Sequence, residues 1–248
     1  MKVLLLAAGY GTRLKPITDS IPKCLVKING KPLLEYWFDL INDSGIKEIL
    51  INTHYLPYKV EEFVQKSKLS KFVKIVYEEK LLGTGGTLLK NRSFFDNDEI
   101  MLIHADNLSL FDVDAFIKNH ANRPDNTNIT MMTFTTETPE SCGIVELDEK
   151  GVVRKFYEKV NEPHGNLANA AVFILEPSVI DFLSGLRRKE IDFSKEVIPR
   201  YVGRINTFHN NIYHRDIGTL ESLQIAELDF PAVNKKYNQG KQAFILNK

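Results

Sequence analysis

The sequence predicts an α/β fold with a mixed, mostly parallel central sheet flanked by helices and a small β-rich portion in its second half. Three observations lead to this prediction. Short apolar runs alternate with amphipathic segments through the first half, as in repeated strand–helix–strand units. A glycine-rich segment directly follows the first apolar run. Closely spaced strand-like runs then occupy much of residues 128–175.

The first half supplies the parallel strands and their crossover helices. Residues 3–7 form a continuous apolar run, which is typical of a strand buried on both faces. Residues 32–43 carry apolar side chains at helical spacing. The same criteria predict further strands at 48–52, 73–77 and 99–104, and further helices at 59–65, 83–91 (entered through a glycine-rich loop) and 112–119.

In the second half, the predicted strands are closely spaced and no longer alternate with helices. Strands are predicted at 128–134, 143–147, 152–158 and 169–175, and Glu149-Lys150-Gly151 is a turn signal between two of them. Helices are predicted to return at 177–183, 194–201 and 219–228. We predict a single domain over residues 1–230, with a loop at 161–165, and a short C-terminal tail at 231–248.

Composition excludes several classes of protein. Of 248 residues, 32 are Lys or Arg and 32 are Asp or Glu, so the formal net charge is zero. This balance argues against a broad nucleic-acid or anionic-membrane surface. No apolar stretch is long enough to span a membrane, and the run at 3–8 is too short for a signal peptide. Cys24 and Cys142 form no CxxC pair, which favours a reducing, cytoplasmic location without a disulfide framework or zinc site.

The segment from Leu6 to Leu14, which reads LAAGYGTRL, is the most informative in the chain. Gly9 and Gly11 allow backbone N–H groups to approach an anion closely, and Arg13 adds a bidentate phosphate donor. A dinucleotide-binding loop requires Gly or Ala where Leu14 stands, and a P-loop requires a Gly-Lys-Ser/Thr sequence that is absent. A tight turn beside a solvated arginine stays open as the alternative for this segment alone.

Two further motifs follow in order, Pro22-Lys23-Cys24-Leu25 and Gly30-Lys31-Pro32. Together the three motifs resemble the opening of the sugar-1-phosphate nucleotidyltransferases, also called nucleoside-diphosphate-sugar pyrophosphorylases. The resemblance continues in order along most of the chain, to the predicted helix after Thr219. It implies a Rossmann-like domain that transfers a nucleotidyl group from an NTP to a sugar 1-phosphate and releases pyrophosphate, with the sugar bound over the β-rich half.

The resemblance implies two nucleotide-binding loops. In the first, Lys23 would contact nucleotide phosphate, and Arg13 would help to hold the leaving pyrophosphate. In the second, at 79–87, Gly83 and Thr84 would lie close to the base. A solvated lysine and a flexible connector are the alternatives. The implied nucleotide-binding residues are Leu6, Ala8, Gly9, Gly11, Thr12, Arg13, Lys23, Glu79, Gly83 and Thr84.

Two aspartates are the implied ligands of a catalytic Mg²⁺. Asp106 follows the predicted strand 99–104, at the sheet's carboxyl edge. Asp216 lies in a segment similar to the family's W-x-D-I-G-T-P motif, with His214 in place of tryptophan and Leu220 in place of proline. Magnesium typically takes one or two carboxylates plus phosphate oxygens and water. Each aspartate has turn capping as its alternative, and the implied catalytic residues are Arg13, Lys23, Asp106 and Asp216.

The implied sugar-phosphate site lies in the β-rich half. The segment from Phe156 to Lys159 resembles the family's F-x-E-K motif, and Asn169-Ala170-Ala171 resembles N-A-G with alanine replacing the glycine. Glu158 would accept hydrogen bonds from sugar hydroxyls, and Lys159 would hold the attacking phosphate. A solvated ion pair is the alternative for these two. The implied sugar-phosphate residues are Gly143, Glu158, Lys159 and Asn169.

Other functions stay open at this level. Asp112-Val-Asp114 matches the D-x-D metal motif of nucleotide-sugar glycosyltransferases, but its place at a predicted helix start favours N-capping. A glycosyltransferase, a non-catalytic nucleotide sensor, and a uridylyl-, thymidylyl- or cytidylyltransferase acting on another sugar or choline phosphate are alternatives. The L-G-T-G-G form of the second loop favours GTP with mannose 1-phosphate or a heptose 1-phosphate. We expect no nucleic-acid or membrane partner, and a homodimer is left open.

Overall fold

The computed structural model describes residues 1–162 and 164–246, with side chains described as far as residue 240. The strands are β1 (Lys2–Leu6), β2 (Lys27–Ile28), β3 (Lys31–Pro32), β4 (Ile49–Thr53), β5 (Val73–Tyr77), β6 (Ile100–His104), β7 (Asn107–Leu110), β8 (Ile129–Thr135), β9 (Gly143–Leu147), β10 (Val153–Glu158), β11 (Leu167–Leu175), β12 (Ile205–His209) and β13 (Tyr213–Asp216). The helices are α1 (Leu33–Ser44), α2 (Pro57–Lys66), α3 (Gly83–Lys90), α4 (Arg92–Phe95), α5 (Val113–Ala121), α6 (Ser178–Gly185), α7 (Ile198–Tyr201) and α8 (Leu220–Leu246).

A nine-stranded sheet forms the centre of the protein. Strand β1 pairs in parallel with β4 on one side and with β6 on the other, and β5 pairs in parallel outside β4. Antiparallel pairing enters this sheet only beyond β6, where β11 joins and connects to β8 and β9. The predicted mixed, mostly parallel sheet flanked by helices is therefore confirmed.

The strand order creates a crevice at the carboxyl edge of the sheet. The chain proceeds outward from β1 to β4 and β5, and then returns to the other side of β1 as β6. The loops that follow β1 and β6 therefore leave in different directions, which is the arrangement at which open α/β sheets bind ligands. Both the glycine-rich segment and Asp106 lie at this edge.

Apolar side chains cover both faces of the sheet. Successive side chains of a strand point to opposite faces, so Val3 and Leu5 pack on one side and Leu4 on the other. On the first side, α1 contributes Trp37 and Ile41, which are almost completely buried. This core fixes the positions of the strand ends that carry polar side chains.

Several features differ from the sequence-based expectation. The short strands β2, β3, β7, β12 and β13 and the single-turn helix α4 were not predicted. The predicted helix at 194–201 is a π-helical turn, Phe193–Val197, followed by α7. The last helix is longer than predicted, because α8 continues through Pro231 to Leu246. Pro163 of the predicted loop and residues 247–248 of the predicted tail lie outside the described residues.

Two other expectations concern single features. Asp112 caps α5, since its Oδ1 accepts a hydrogen bond from the Ala115 backbone N–H at 2.9 Å. The capping interpretation of the Asp112-Val-Asp114 motif is thus confirmed for Asp112. Over the part of the chain that the structure describes, no helix combines the length and apolarity needed to cross a membrane.

Candidate active site

The glycine-rich loop is held against the sheet by hydrogen bonds from its own backbone. The Ala7 N–H donates to Asn52 Oδ1, at the end of β4, over 2.9 Å. Gly11 has a φ of +64°, and a Cβ there would lie 2.9 Å from Thr18 Cγ2, so only glycine fits easily. A Cβ at Gly9 would meet no heavy atom of the described residues within 4 Å. The loop therefore leaves space beside Gly9 for a ligand.

A cavity of about 230 Å³ opens beside this loop. It joins residues from the ends of β1, β4, β5 and β6, as the strand order predicts for a site at this edge. The lining residues are Leu6, Ala7, Ala8, Gly9, Lys23, Cys24, Asn52, Glu78, Leu81, Gly83, Thr84, Thr87, His104 and Asp106.

In the lining of the cavity, Lys23 bridges the two predicted metal aspartates. Its Nζ donates to Asp106 Oδ2 at 2.7 Å and to Asp216 Oδ1 at 3.1 Å. The side chain of Lys23 is only 8% exposed, whereas those of Asp106 and Asp216 are 34% and 54% exposed. The two carboxylates thus contact the same ammonium group, and solvent reaches the two aspartates more easily than it reaches the lysine.

Asp216 reaches this position through a separate two-stranded ribbon. Strand β13 pairs antiparallel with β7, and this register places Asp216 opposite Asn107, next to Asp106 in the chain. Arg13 also approaches, with its Nη2 3.7 Å from Asp216 Oδ2, but its side chain is 66% exposed. Arg13 is thus a solvated neighbour of the aspartate pair, free to turn towards a bound anion.

The charges of this cluster stabilise one another. Burial alone would lower the pKa of Lys23, but the carboxylates of Asp106 and Asp216 raise it above its ordinary value. Burial alone would raise the pKa of Asp106, yet Lys23 and His104 hold it below its ordinary value. For His104 itself, burial lowers the pKa. Lysine and aspartate are therefore both charged at neutral pH, and the site has a net negative charge once Lys23 moves away.

The aspartate pair fits a divalent cation. An ammonium group already occupies the point on which Asp106 Oδ2 and Asp216 Oδ1 converge, which shows that this geometry accommodates a cation. Within the described residues, no group of three or more His, Cys, Asp or Glu side chains could hold a metal on its own. A magnesium ion here would therefore take its remaining ligands from phosphate oxygens and water, as is common for this ion.

The cavity lining also includes a buried carboxylate, Glu78. Its Oε1 accepts a hydrogen bond from Thr87 Oγ1 at 2.7 Å, and Thr87 Oγ1 in turn accepts one from Asn52 Nδ2 at 3.3 Å. Its Oε2 is shielded from solvent and has no hydrogen-bond partner among the described residues. Because such an oxygen is costly to leave unpaired, Glu78 is a candidate ligand-binding residue. The neighbouring Glu79, predicted from the sequence, is exposed and does not line the cavity.

The glycines after Glu79 have a packing role that the sequence did not indicate. They begin α3 directly, and the Gly85 N–H donates to the Ile191 carbonyl at 3.0 Å. A Cβ at Gly83 would lie 2.5 Å from the Ile191 carbonyl oxygen, and one at Gly86 would lie 2.2 Å from that of Lys189. Close approach of the 189–191 backbone therefore requires these glycines, independently of any base.

The predicted sugar-phosphate residues cluster on the antiparallel side of the sheet. Gly143 pairs with Glu158 across β9 and β10, and the next residue of β9 pairs with Ala168 of β11, beside Asn169. Burial raises the pKa of Glu158 above its ordinary value. Strand β10 ends at Glu158. Lys159, the next residue, is exposed and has a φ of +51°. The alternation of side chains between the two faces of a strand therefore does not extend to Lys159.

Strand β11 is irregular at the segment similar to N-A-G. Its register with β8 shifts between Asn169 and Phe173, and Ala171 has a φ of +54°. Asn169 Oδ1 accepts a hydrogen bond from the Ala171 N–H at 2.9 Å. Alanine thus occupies a left-handed backbone conformation that favours glycine.

We expect Ala171→Gly to stabilise the protein by about 0.5–1 kcal/mol, because it relieves this backbone strain. Urea unfolding monitored by circular dichroism measures the effect. The matched control is Ala170→Gly, at a fully buried strand position without a positive φ, which should destabilise by about 1 kcal/mol. Equal destabilisation by both variants would contradict the assigned conformation of Ala171.

The structure brings most of the predicted nucleotide residues together. Leu6, Ala8, Gly9, Lys23, Gly83, Thr84 and Asp106 line the cavity. Gly11, Thr12, Arg13 and Asp216 lie in or beside the same loop and aspartate cluster, while Gly143, Glu158, Lys159 and Asn169 form a separate group. Sequence reasoning missed Asn52, Glu78, Thr87 and His104, although each is at or near the carboxyl end of a strand or in the glycine-rich helix.

Comparisons with known proteins show which family the chain resembles. The sequence profile of a family described as "Nucleotidyl transferase" matches residues 2–231. Mannose-1-phosphate guanylyltransferase of Mycobacterium tuberculosis is 31% identical over 223 residues, which cover 88% of this chain and 61% of that protein. UTP–glucose-1-phosphate uridylyltransferase of Synechocystis is 32% identical over 219 residues, which cover 82% of this chain and 55% of that protein. This chain thus spans little more than half the length of these curated relatives.

A solved structure shows the same fold. HddC from Yersinia pseudotuberculosis, crystallised with GMP-PN, is 25% identical, has a TM-score of 0.77, and covers 92% of this chain and 99% of its own. The two curated relatives are named for different bases and different sugars at nearly equal identity. Overall similarity therefore does not distinguish between substrates.

Proposed function

The chain belongs to the nucleotidyl transferase family, and from this premise we propose that it transfers a nucleotidyl group from an NTP to a sugar 1-phosphate and releases pyrophosphate. One observation carries the proposal. A single cavity joins the open side of the glycine-rich loop, the bridged Lys23–Asp106 pair and a polar group suited to a base. These are the parts that the phosphates and the base of an NTP require.

The proposed mechanism relies on positioning and charge neutralisation. The attacking sugar phosphate is already an anion, so no general base is required. The amides of the glycine-rich loop would bind the leaving pyrophosphate, Arg13 would turn towards it, and Lys23 would stabilise charge on the α-phosphate. Asp106 and Asp216 would hold Mg²⁺, which when bound supplies further neutralisation of phosphate charge.

Glu78 supports GTP as the nucleotide. An ionised carboxylate only accepts hydrogen bonds. Guanine presents two adjacent donors on its Watson–Crick edge, N1–H and the 2-amino group. Uracil and thymine present one donor between two carbonyl oxygens, and adenine and cytosine present an amino group beside an acceptor nitrogen. The Glu78 carboxylate lines the cavity, but its unpaired Oε2 is shielded from solvent. Its proposed pairing with the two donors of guanine therefore requires the carboxylate to turn towards the base when nucleotide binds. The guanylyltransferase relative and the GMP-PN complex of HddC are consistent with this choice.

We expect the wild type to bind GTP at least about 10-fold more tightly than inosine triphosphate, which lacks the 2-amino group. In Glu78→Gln, which keeps the side-chain size, the ratio of the two affinities should fall to near 1. Calorimetric titration of both nucleotides measures these ratios, and thermal melting checks that the variant folds. Glu79→Gln is the matched control, because its side chain is exposed beside the same loop and should leave the ratio unchanged. Equal binding of the two nucleotides by the wild type would refute the role of Glu78.

We further propose mannose 1-phosphate or a heptose 1-phosphate as the acceptor. Glu158 and Asn169 offer fixed polar groups to sugar hydroxyls, and Lys159 is exposed near them for the phosphate. The guanylyltransferase relative supports mannose. The free cysteines Cys24 and Cys142 are consistent with action in a reducing compartment.

The proposed reaction is tested by pyrophosphate release with Mg²⁺ across a grid of GTP, UTP, CTP, dTTP and ATP against several sugar 1-phosphates. We expect release with GTP and mannose or heptose 1-phosphate. Release with another nucleotide would keep the reaction and change the base. Nucleotide binding without release for any sugar 1-phosphate would contradict the reaction and favour a nucleotide sensor.

A further inference from the structure

The bridge between Lys23 and the two aspartates has a consequence for metal binding. Lys23 lies 83 residues from Asp106 and 193 residues from Asp216, yet one ammonium group contacts both carboxylates. We propose that Lys23 is a built-in counter-cation: it occupies the metal position until nucleotide phosphate draws it away, so divalent metal binds well only together with nucleotide. The inference rests on the proposed function only in taking an NTP as that nucleotide.

Electrostatics explains why a cation is needed at this point. Asp106 and Asp216 each direct one oxygen to the same position, so their negative charges repel each other without an intervening cation. The Lys23 ammonium supplies that charge with two short contacts. A divalent ion bound by the same two oxygens would be adjacent to the ammonium, and the two cations would repel. Metal binding therefore requires Lys23 to leave.

The flexible stem of Lys23 gives its ammonium group a path away from the two aspartates. The base of its side chain is confined, because a Cβ at Gly11 would lie only 3.1 Å from Lys23 Cβ. Beyond that point the lysine stem is flexible, and the cavity that it lines extends past Gly9 and Ala8. Nucleotide phosphate bound by these residues would supply the displaced ammonium with a new anion. Without nucleotide, a displaced and buried ammonium would be costly, so metal alone should bind weakly.

Arg13 does not compete with a divalent ion for the position between Asp106 and Asp216 as Lys23 does. Its guanidinium is 3.7 Å from the other oxygen of Asp216, and its side chain is 66% exposed. Water can therefore solvate the charge of Arg13 when a metal ion binds, whereas the buried ammonium of Lys23 is much less accessible to water. Metal and nucleotide binding are coupled through Lys23, and by linkage each should strengthen the other.

Titration with Mn²⁺, with the free ion measured by electron paramagnetic resonance, tests this inference without any turnover. In the absence of nucleotide, Lys23→Met should bind Mn²⁺ about 10-fold or more tightly than the wild type. Methionine keeps a long flexible stem and removes the charge. Adding Asp106→Asn to Lys23→Met should abolish the gain. Lys15→Met is the matched control, because Lys15 pairs with Asp19 at 3.1 Å but is 59% exposed, and it should bind Mn²⁺ as the wild type does.

Equal or weaker Mn²⁺ binding by a folded Lys23→Met variant would overturn the inference. The wild type provides a second test that needs no variant. Mn²⁺ alone should leave its melting temperature unchanged, while Mn²⁺ with GTP should raise it more than GTP alone. A rise with Mn²⁺ alone as large as that with both would also overturn the inference. Neither readout depends on pyrophosphate release, so failure of the proposed reaction and failure of this inference are distinguishable.

Discussion

Asp106→Asn is expected to lower pyrophosphate release by at least about 100-fold while leaving the melting temperature within a few degrees. Asparagine keeps the size of aspartate and an oxygen that can accept from Lys23. It removes the negative charge that makes the pair with Asp216 a suitable site for a divalent cation. A coupled pyrophosphate assay with saturating substrates and Mg²⁺ measures the rate, and thermal melting measures stability.

The matched control for this variant is Asp114→Asn. Asp114 is an exposed aspartate in the first turn of α5 and does not line the cavity, so its substitution should leave the rate unchanged. Activity of Asp106→Asn above about a tenth of the wild-type rate would show that the metal assignment is wrong. If the variant instead melts far below the wild type, Asp216→Asn at the more exposed partner provides the same test.

Gly86→Ala is expected to destabilise the protein by about 1–3 kcal/mol, even though alanine is the better helix former. A Cβ at Gly86 would lie 2.2 Å from the Lys189 carbonyl oxygen and 2.9 Å from Leu82 Cβ. Backbone cannot move aside as a flexible side chain can, so α3 or the 189–191 segment must shift. Urea unfolding measures the free energy, and a concurrent loss of GTP affinity would show that this contact positions the base loop.

Gly185→Ala is the opposite case and serves as the control. Gly185 is also helical, in α6, but a Cβ there would meet no heavy atom of the described residues within 4 Å. The effect of the substitution then depends on helix propensity, and alanine should stabilise the protein by up to about 1 kcal/mol. If both variants stabilise the protein, the packing of the 189–191 backbone against α3 is not as the structure has it.

Local patterns were sufficient to predict much of the fold. Strand β5 was predicted with its observed bounds, β6 differs from prediction by one residue at its start, and β1 and β4 are each displaced by one residue at both ends. Strands β1, β4 and β6 are rich in apolar residues because both of their faces are buried. Strand β5, at the edge of the sheet, has exposed residues at Lys74 and Tyr77. By contrast, β7 and β13 form a separate two-stranded sheet and carry polar residues such as Ser109 and His214. Such short, half-polar segments have no periodic signal, so they were not predicted.

Local sequence patterns also did not indicate that Glu78, rather than Glu79, lines the cavity. Both follow β5 directly, and adjacent side chains at the end of a strand point in opposite directions. A sequence alone does not indicate which of the two directions is the buried one. The hydrogen bond from Thr87, nine residues further along in α3, decides it in favour of Glu78.

Local sequence patterns were enough to predict the parallel sheet, the glycine-rich loop at its carboxyl edge and the residue types that suit phosphate, metal and sugar. These follow from local chemistry: apolar runs, glycines at special backbone positions and motifs in a fixed order. Three contacts became evident from the three-dimensional arrangement. Lys23 bridges Asp106 and Asp216, the glycines of α3 accommodate the 189–191 backbone, and Glu78 is the buried carboxylate. Each of these contacts joins segments that the fold brings together through strand order and register, and the physical chemistry of an isolated segment contains no information about its distant partner.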